Sequence, residues 1–582
     1  MRLRELKICN FRKIENLTVT FPRGLCVIVG ENNAGKTAII DALRLMLLPS
    51  RDFDALRLNE DDFRTGTNYA PIELSCTFSD PKDEDEVHFQ ECLVDIGNGK
   101  FDIRLNARIE FNKANRRTNV KMWGGETEGG NLPTNIYDRI ASIYLQPLRD
   151  PESGLRPGRH SQISRLIDCL TEETQHVEFE TIANEANNKV RELDPVKNAR
   201  NDINALMTSI TGAQLAQKTE LIFSDPNFYR IIAGLQPEIE GLPFALNGLG
   251  YNNLVFTSAT LGTLQRSPQF SFRSILVEEP EAHLHPQLQV LFLRHFAKVA
   301  SAEEGNQVQV IASSHSPILA SQALLDSIVS VYERDGKVSA VSVCALDIDP
   351  TLKKKLQRFL DATRGELFFA RRILMVEGIA EALLVPVLTK IMGGCLKESA
   401  VTVLNADGIN FNAFLPLFGA NRLGFPVAIM TDGDAKKIGD PPSAAATGLK
   451  GKEAGIPNLH VEYSTITFEH ELARSATILP LMLNAFEILH PNLGANLKAN
   501  IGALNTNDAK ADAFLAEFLR SGTSKGQFAQ ELAAMLDAAD LQKNAVPQYI
   551  QAVLSFLGVI KPEANNEQPG NPAAANPVAE AH

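Results

Sequence analysis

The 582-residue chain has no apolar run of about eighteen residues, the length a membrane-spanning helix needs, so no membrane partner is expected. Its first residues, MRLRELKICNFRKIENL, are charged and alternating, without the apolar stretch and small-residue cleavage site of a signal peptide. Cysteine is sparse: seven, at positions 9, 26, 76, 92, 169, 344 and 395, with no CxxC pair. That excludes a zinc or disulfide framework and fits reduced thiols in a cytoplasmic protein. A positive surplus is missing too, since 57 Lys and Arg face 70 Asp and Glu for a net charge of −13. This excludes a histone-like DNA coat, but not a DNA enzyme, whose metal sites are themselves carboxylate clusters.

What is present is globular. Hydrophobic residues are 44% and charged residues 22%, which excludes wholesale disorder, collagen and coiled-coil rods. At roughly 150 residues per domain, the length implies about three or four units. Small basic clusters (Arg116, Arg117 and Lys121; Lys353, Lys354 and Lys355; Arg371 and Arg372) read as solvated faces.

Along the chain, LRELKI (3–8) and LTVTF (17–21) alternate like strands, and LCVIVG (25–30) is an apolar run ending at glycine. Ile39, Ile40, Leu43, Met46 and Leu47 then recur at helical spacing. PIELSCTF and FDIRLNARIEF are strand-like, and residues 124–133 form a Gly-rich turn region. From about 160 to 240 a helical pattern (Ile163, Leu166, Ile167, Leu170) and Asn-rich, charged segments suggest an insertion. SILVE (274–278) and QVQVIA (307–312) look like buried strands, and 345–370 is polar and helical, a domain junction. A second α/β rhythm follows, RILMVEG, helix, VTVLNADG, helix, FPVAIMTDGDA, implying a parallel sheet. The Pro-, Ala- and Asn-rich end beyond about 562 cannot bury enough surface to order itself. No internal repeat is visible.

Gly30-Glu31-Asn32-Asn33-Ala34-Gly35-Lys36-Thr37 fits G-x-x-x-x-G-K-[ST], and it follows an apolar strand and opens an amphipathic helix, as a P-loop must. Glycines let backbone amides wrap phosphates, and the helix N-terminus adds positive potential. Lys36 would reach the β/γ-phosphates of ATP and Thr37 would ligate its Mg²⁺. Glu278 and Glu279 end an apolar strand: one acid can join the Mg²⁺ shell while its neighbour polarises water. His315, at the end of another strand, can sense the γ-phosphate.

This set resembles the ABC-type ATPase head of the RecF, Rad50 and SMC group. The match covers Asn10-Phe11-Arg12, the P-loop, LVEEPEAHLHP as Walker B plus D-loop, and His315 as the H-loop. The resemblance implies that Glu279 is the catalytic glutamate, that Glu278 stands where the group usually has Asp, and that Gln146 is the Q-loop residue. The LSGG signature is not evident, and Asn247-Gly248-Leu249-Gly250 is the best stand-in. Glu281, His283 and His285 alternate as metal ligands on a strand would. They fall where the D-loop belongs, however, and no further Cys or His cluster is nearby.

The second constellation is acidic. Glu377 ends the first strand of the second α/β unit, and Glu381 follows one helical turn later. Asp432 and Asp434 end another strand, and Glu469 lies in TFEHEL. Carboxylates at the C-terminal strand ends of a parallel sheet converge at one edge, and hard oxygen ligands suit Mg²⁺ or Mn²⁺. Two such ions could clamp the attacking and leaving oxygens of a phosphodiester.

The V-E-G strand plus D-x-D strand resembles the Toprim domain. An ABC head followed by Toprim is similar to the OLD (overcoming lysogenization defect) family of ATP-dependent endonucleases, over about 1–560. The fold implied is α/β, an ABC-type P-loop head with a helical insertion, then a Rossmann-like Toprim domain with C-terminal helices. Its expected divisions are 1–160 and 241–345 for the head, 161–240 for the insertion and dimerisation region, 346–370 for a linker, 371–560 for Toprim and 561–582 for a disordered tail. By this resemblance Glu377, Glu381, Asp432, Asp434 and Glu469 are the metal ligands, and Lys525 neutralises charge on the scissile phosphate.

The family includes phage-exclusion nucleases, Gabija nuclease subunits and retron-associated effectors. The implied partners are therefore DNA, a second copy of the chain, and a helicase or a reverse transcriptase with its nucleic acid. Two other readings stand beside it. One is a DNA-binding repair ATPase without cleavage, which the intact Glu377, Asp432 and Asp434 set argues against. The other is a topoisomerase or primase. A topoisomerase needs a nucleophilic Tyr, and the chain has only eight, with no extra domain to present one.

Overall fold

The structure is a computed structural model that describes residues 1–48, 56, 58–129, 132, 134–147, 154–159, 161–223, 225–266, 269–282, 284–301, 307–360, 364–408 and 410–561. His283 and the expected disordered tail from 562 lie outside the described residues. The chain divides into two compact units, Met1–Phe369 and Ala370–His582.

The first unit opens with β1 (Arg2–Phe11), β2 (Ile14–Thr20), β3 (Leu25–Val29) and α1 (Lys36–Leu47). Next come β4 (Ile72–Ser79), β5 (Leu93–Gly97), β6 (Lys100–Asn112), β7 (Arg117–Gly124) and β8 (Ile140–Leu145). The stretch expected to be a helical insertion holds α2 (Gln162–Leu170), α3 (Glu173–Arg191), α4 (Asp194–Thr211) and a small hairpin, β9 (Glu238–Ile239) with β10 (Leu242–Pro243). The unit continues with α5 (Leu249–Gln265), β11 (Phe272–Glu278), α6 (Pro286–Ala300), β12 (Gln309–Ser314), β13 (Ile328–Arg334) and β14 (Lys337–Ser342).

Two sheets organise it. One is antiparallel, in the order β2-β1-β4-β6-β5 with β7 on β6, and β1 buries Leu3, Leu6, Ile8 and Phe11 toward the core. The other runs β14-β13-β3-β12-β11-β8, parallel except for β14. All five residues of β3 are buried, as a parallel strand covered on both faces requires. Between the sheets, α1 buries every residue except Thr37. Ile39, Ile40 and Leu43 share one core cluster with Leu6, Ile28 and Leu276, each side chain contributing about 1.5–3 kcal/mol by leaving water.

The second unit contains β15 (Arg372–Val376), α7 (Ile379–Ile391), β16 (Val401–Asn405), β17 (Val427–Thr431) and β18 (Leu459–Tyr463). After these come α8 (Phe468–Ala473), α9 (Lys525–Ala538) and α10 (Gln548–Phe556), with further helices between α8 and α9. The sheet order is β16-β15-β17-β18, all parallel. Helices cover it through Leu384, Leu388, Phe514, Phe528, Leu532 and Ile550, all buried in one cluster. Helix α7 packs along α9.

Candidate functional site

In the first unit, the sheet delivers its chemistry to one edge. Strands β3, β12, β11 and β8 are parallel, so Gly30, His315, Glu278 and Gln146 all follow or close a strand at the same C-terminal edge. Gly30 takes φ +153°, and a Cβ there would overlap the carbonyl oxygen of Val331. Asn33, in left-handed geometry, and Gly35, the N-cap of α1, complete the turn. Asn32 and Asn33 are exposed.

Lys36 is buried. Its ammonium donates to the carbonyl oxygens of Gly30 and Glu31, both at 2.7 Å, and stands 3.1 Å from His315 Nδ1. Burial pulls its pKa down to about 8, against the opposing pull of Glu279, Glu281 and Glu31. His315 is likewise shifted down, by burial and by Lys36, and its Nε2 lies 3.7 Å from Glu279 Oε1. Glu279 is in left-handed geometry, and its backbone amide donates to Ser313 of β12 at 2.9 Å.

Glu278 is buried at the end of β11 and accepts a hydrogen bond from Tyr144 Oη at 2.5 Å. Burial raises its pKa, while bonds from Tyr144 and Thr37 oppose the rise. Glu281 reaches back to the end of β12: its Oε1 accepts from Ser314 Oγ at 2.9 Å and from the His315 amide at 2.8 Å. Its Oε2 is buried and has no hydrogen bond among the described residues. His285 caps α6, accepting from the Gln287 amide at 3.4 Å. Gln146 is exposed beyond β8 and makes no hydrogen bond to these residues among those described. Arg12, from Asn10-Phe11-Arg12, forks between Asp41 at 2.8 Å and Asp62 at 2.9 Å. Gly248 opens α5 as its N-cap.

The backbone amides at the start of α1, the buried ammonium and Thr37, the one exposed residue of that helix, fit a nucleoside triphosphate with its divalent ion.

In the second unit, Glu377 follows β15, and its Oε2 accepts from Thr431 Oγ1 at 2.9 Å and from the Asp432 amide at 3.1 Å. This ties the two acid-bearing strand ends together. Asp432 Oδ1 accepts from the Phe468 amide at 2.7 Å and from Ser464 Oγ at 3.2 Å. Gly433 permits the close approach: a Cβ there would overlap the Ser464 carbonyl oxygen. Lys525, first residue of α9, stands 2.9 Å from Glu469 Oε1. Glu469 is buried, so the ion pair holds its carboxylate away from water.

The electrostatics are those of a crowded acid site. Burial, then Glu469, Glu377 and Glu381, push Asp432 up to about 8. Burial also raises Glu381, with Glu469 and Glu377 adding to it. Asp434, exposed and in left-handed geometry, is raised by burial and by Glu377. Burial draws Lys525 down, but Glu469, Asp432 and Glu381 outweigh it and raise it. Among the described residues no three Asp, Glu, His or Cys groups form a preassembled ion cage. The all-oxygen donor set and the carboxylate repulsion nonetheless fit a divalent cation such as Mg²⁺ or Mn²⁺.

The AAA ATPase domain model matches residues 1–128 and 131–320, more than half of the chain. The chain belongs to that family. Over 368–434 it matches the Toprim domain of overcoming lysogenization defect-like proteins, so it joins an ATPase to an OLD-like Toprim domain. It is 27% identical to the OLD nuclease of Thermus scotoductus over 411 residues, covering 65% of this chain and 72% of that one. It is 21% identical to endonuclease GajA of Bacillus cereus, covering 96% of this chain and 99% of that one. The C-terminal region of the Burkholderia pseudomallei OLD protein aligns at 25% identity, over 33% of this chain and 98% of that one, with a TM-score of 0.26.

Several residues of this ATPase–Toprim chain escape a reading of motifs. Tyr144 and Ser464 reach their acids across neighbouring strands, and Glu281 accepts from the His315 amide across a gap of 34 residues. Strand order would have pointed to the first two, and strand order is not written locally.

Proposed function

We propose that the chain is a nucleotide-regulated, metal-dependent DNA endonuclease of bacterial anti-phage defence or phage exclusion. One observation carries the reading: Glu377, Asp432 and Glu469 are bonded or coupled at one edge of a parallel sheet, with Lys525 against Glu469. Two relatives named as nucleases support it. Glu377, Glu381, Asp432, Asp434 and Glu469 would hold the ions. Divalent ions there supply Lewis acidity, which lowers the pKa of water and offsets charge on the leaving oxygen. Lys525 offsets charge on the scissile phosphate.

In the ATPase unit, Gly30, Asn32, Asn33, Gly35 and Lys36 hold the phosphates, with Thr37 and Glu278 facing the ATP-bound ion. Glu279 polarises water and His315 reports on the γ-phosphate, while Gln146 takes the Q-loop position. ATP regulates cutting and need not drive its chemistry, because phosphodiester hydrolysis is already downhill. Two copies of the chain pair, and a helicase or reverse transcriptase is the kind of partner that such a nuclease would serve.

The test uses supercoiled plasmid in Mg²⁺ or Mn²⁺, with and without ATP. Wild type nicks or linearises it, Asp432→Ala does not, and Lys36→Ala reveals the sign of nucleotide control. Undiminished nicking by Asp432→Ala would sink the assignment of the metal site.

A further inference from the structure

Glu278 stands where the related heads usually carry aspartate, and its side chain has one more rotatable bond. A carboxylate on a longer arm reaches more positions, so something must fix it if it is to face a metal ion in one geometry. The structure supplies a clamp. Tyr144 is paired with Leu276 on the adjacent parallel strand, and Glu278 lies two residues further along β11, on the same face. The phenol therefore meets the carboxylate end on, donating to Glu278 Oε2 at 2.5 Å, the length of a charge-assisted bond.

The phenol is itself held. The Arg44 guanidinium lies over its ring, 3.8 Å from the centroid. Arg44 is fixed by Asp41 at 2.8 Å. Asp41 in turn takes Arg12 at 2.8 Å, and Arg12 reaches Asp62 at 2.9 Å. The P-loop helix α1, the strand that leads to Gln146 and the strand that ends in Glu278 are thus joined at one tyrosine, α1 through its ring and Glu278 through its hydroxyl.

We propose that Tyr144 is a positioning residue of the ATP site: its hydroxyl holds the Glu278 carboxylate in the one orientation that meets the nucleotide-bound divalent ion. This rests on the reading of Glu278 as part of that ion's shell. The longer acid and the tyrosine then form one device, in which the phenol does what the shorter arm of aspartate does in related heads.

The test is binding rather than turnover. The dissociation constant of a fluorescent ATP analogue is measured on the full chain, in EDTA and in Mg²⁺, for wild type, Tyr144→Phe, Glu278→Ala, Glu278→Asp and the double variant Tyr144→Phe/Glu278→Asp. Tyr144→Phe keeps the ring under Arg44 and removes only the hydroxyl. The expected result is unchanged affinity in EDTA and an unchanged melting temperature, with affinity in Mg²⁺ weakened about tenfold. In the Glu278→Asp background the shorter acid no longer reaches the phenol, so Tyr144→Phe adds nothing. Wild-type affinity in Mg²⁺ for Tyr144→Phe overturns the proposal, and so does equal weakening in EDTA and Mg²⁺, which marks a packing role. If Glu278→Ala leaves the Mg²⁺ effect intact, or wild type shows none, the reading of Glu278 falls and the proposal with it. A loss in Glu278→Ala without one in Tyr144→Phe removes the proposal alone.

Discussion

The backbone amide of Phe468 donates to Asp432 Oδ1 at 2.7 Å, so the strand that carries Asp432 is pinned to the helix that carries Glu469. One buried carboxyl thereby organises two acids that lie far apart in sequence. Asp432→Ala should break this tie and lower Mg²⁺- or Mn²⁺-dependent nicking at least about a hundredfold, while nucleotide binding is retained. Plasmid nicking and fluorescent-nucleotide titration check the two halves of that expectation.

Asp432 has its pKa raised to about 8 in the folded chain. The folded state therefore holds a proton that the unfolded state releases near pH 4, and stability falls as pH rises between those values. In EDTA, the melting temperature of the second unit's transition should drop by about 5 °C or more from pH 5 to pH 9. Mg²⁺ or Mn²⁺ should restore it at the high end, and Asp432→Asn should flatten the slope. A slope of opposite sign, read by calorimetry, would contradict the electrostatics described.

Gly433 sits where any side chain would strike the Ser464 backbone. Gly433→Ala should push the β17 end away from Ser464, at a cost of about 2 kcal/mol or more, and abolish nicking. ATP hydrolysis should survive, because the P-loop belongs to the other unit. Parallel nicking and phosphate-release assays read both outcomes.

Glu281 holds the turn after β12 through Ser314 and the His315 amide. Glu281→Ala should free His315 and slow ATP turnover about tenfold, with a smaller change in nucleotide affinity. Steady-state kcat against the dissociation constant separates these, and loss of affinity alone would mark Glu281 as part of the nucleotide cradle.

The P-loop and the strand-end acids were legible because their chemistry is local: glycines, a lysine and a threonine in eight consecutive residues, or an acid closing an apolar run. Lys525 is a different case. Nothing in its own segment marks it; only the family resemblance and its contact with Glu469 single it out. Tyr144 was invisible for a physical reason, since its partner is set by strand pairing across more than a hundred residues. Gln146 follows β8 as read, yet no bond to the P-loop residues among those described gives it a role in this structure.

Strand β3 carries the P-loop, but both of its neighbours, β12 and β13, come from beyond residue 308. During synthesis that strand emerges almost at once, with buried-type residues on both faces, and waits for nearly three hundred more before it can be paired. The sheet around the P-loop is complete only once β13 has been made. Such long-range pairing makes assembly of the first unit slow, and it leaves the nascent strand dependent on shielding in the interval.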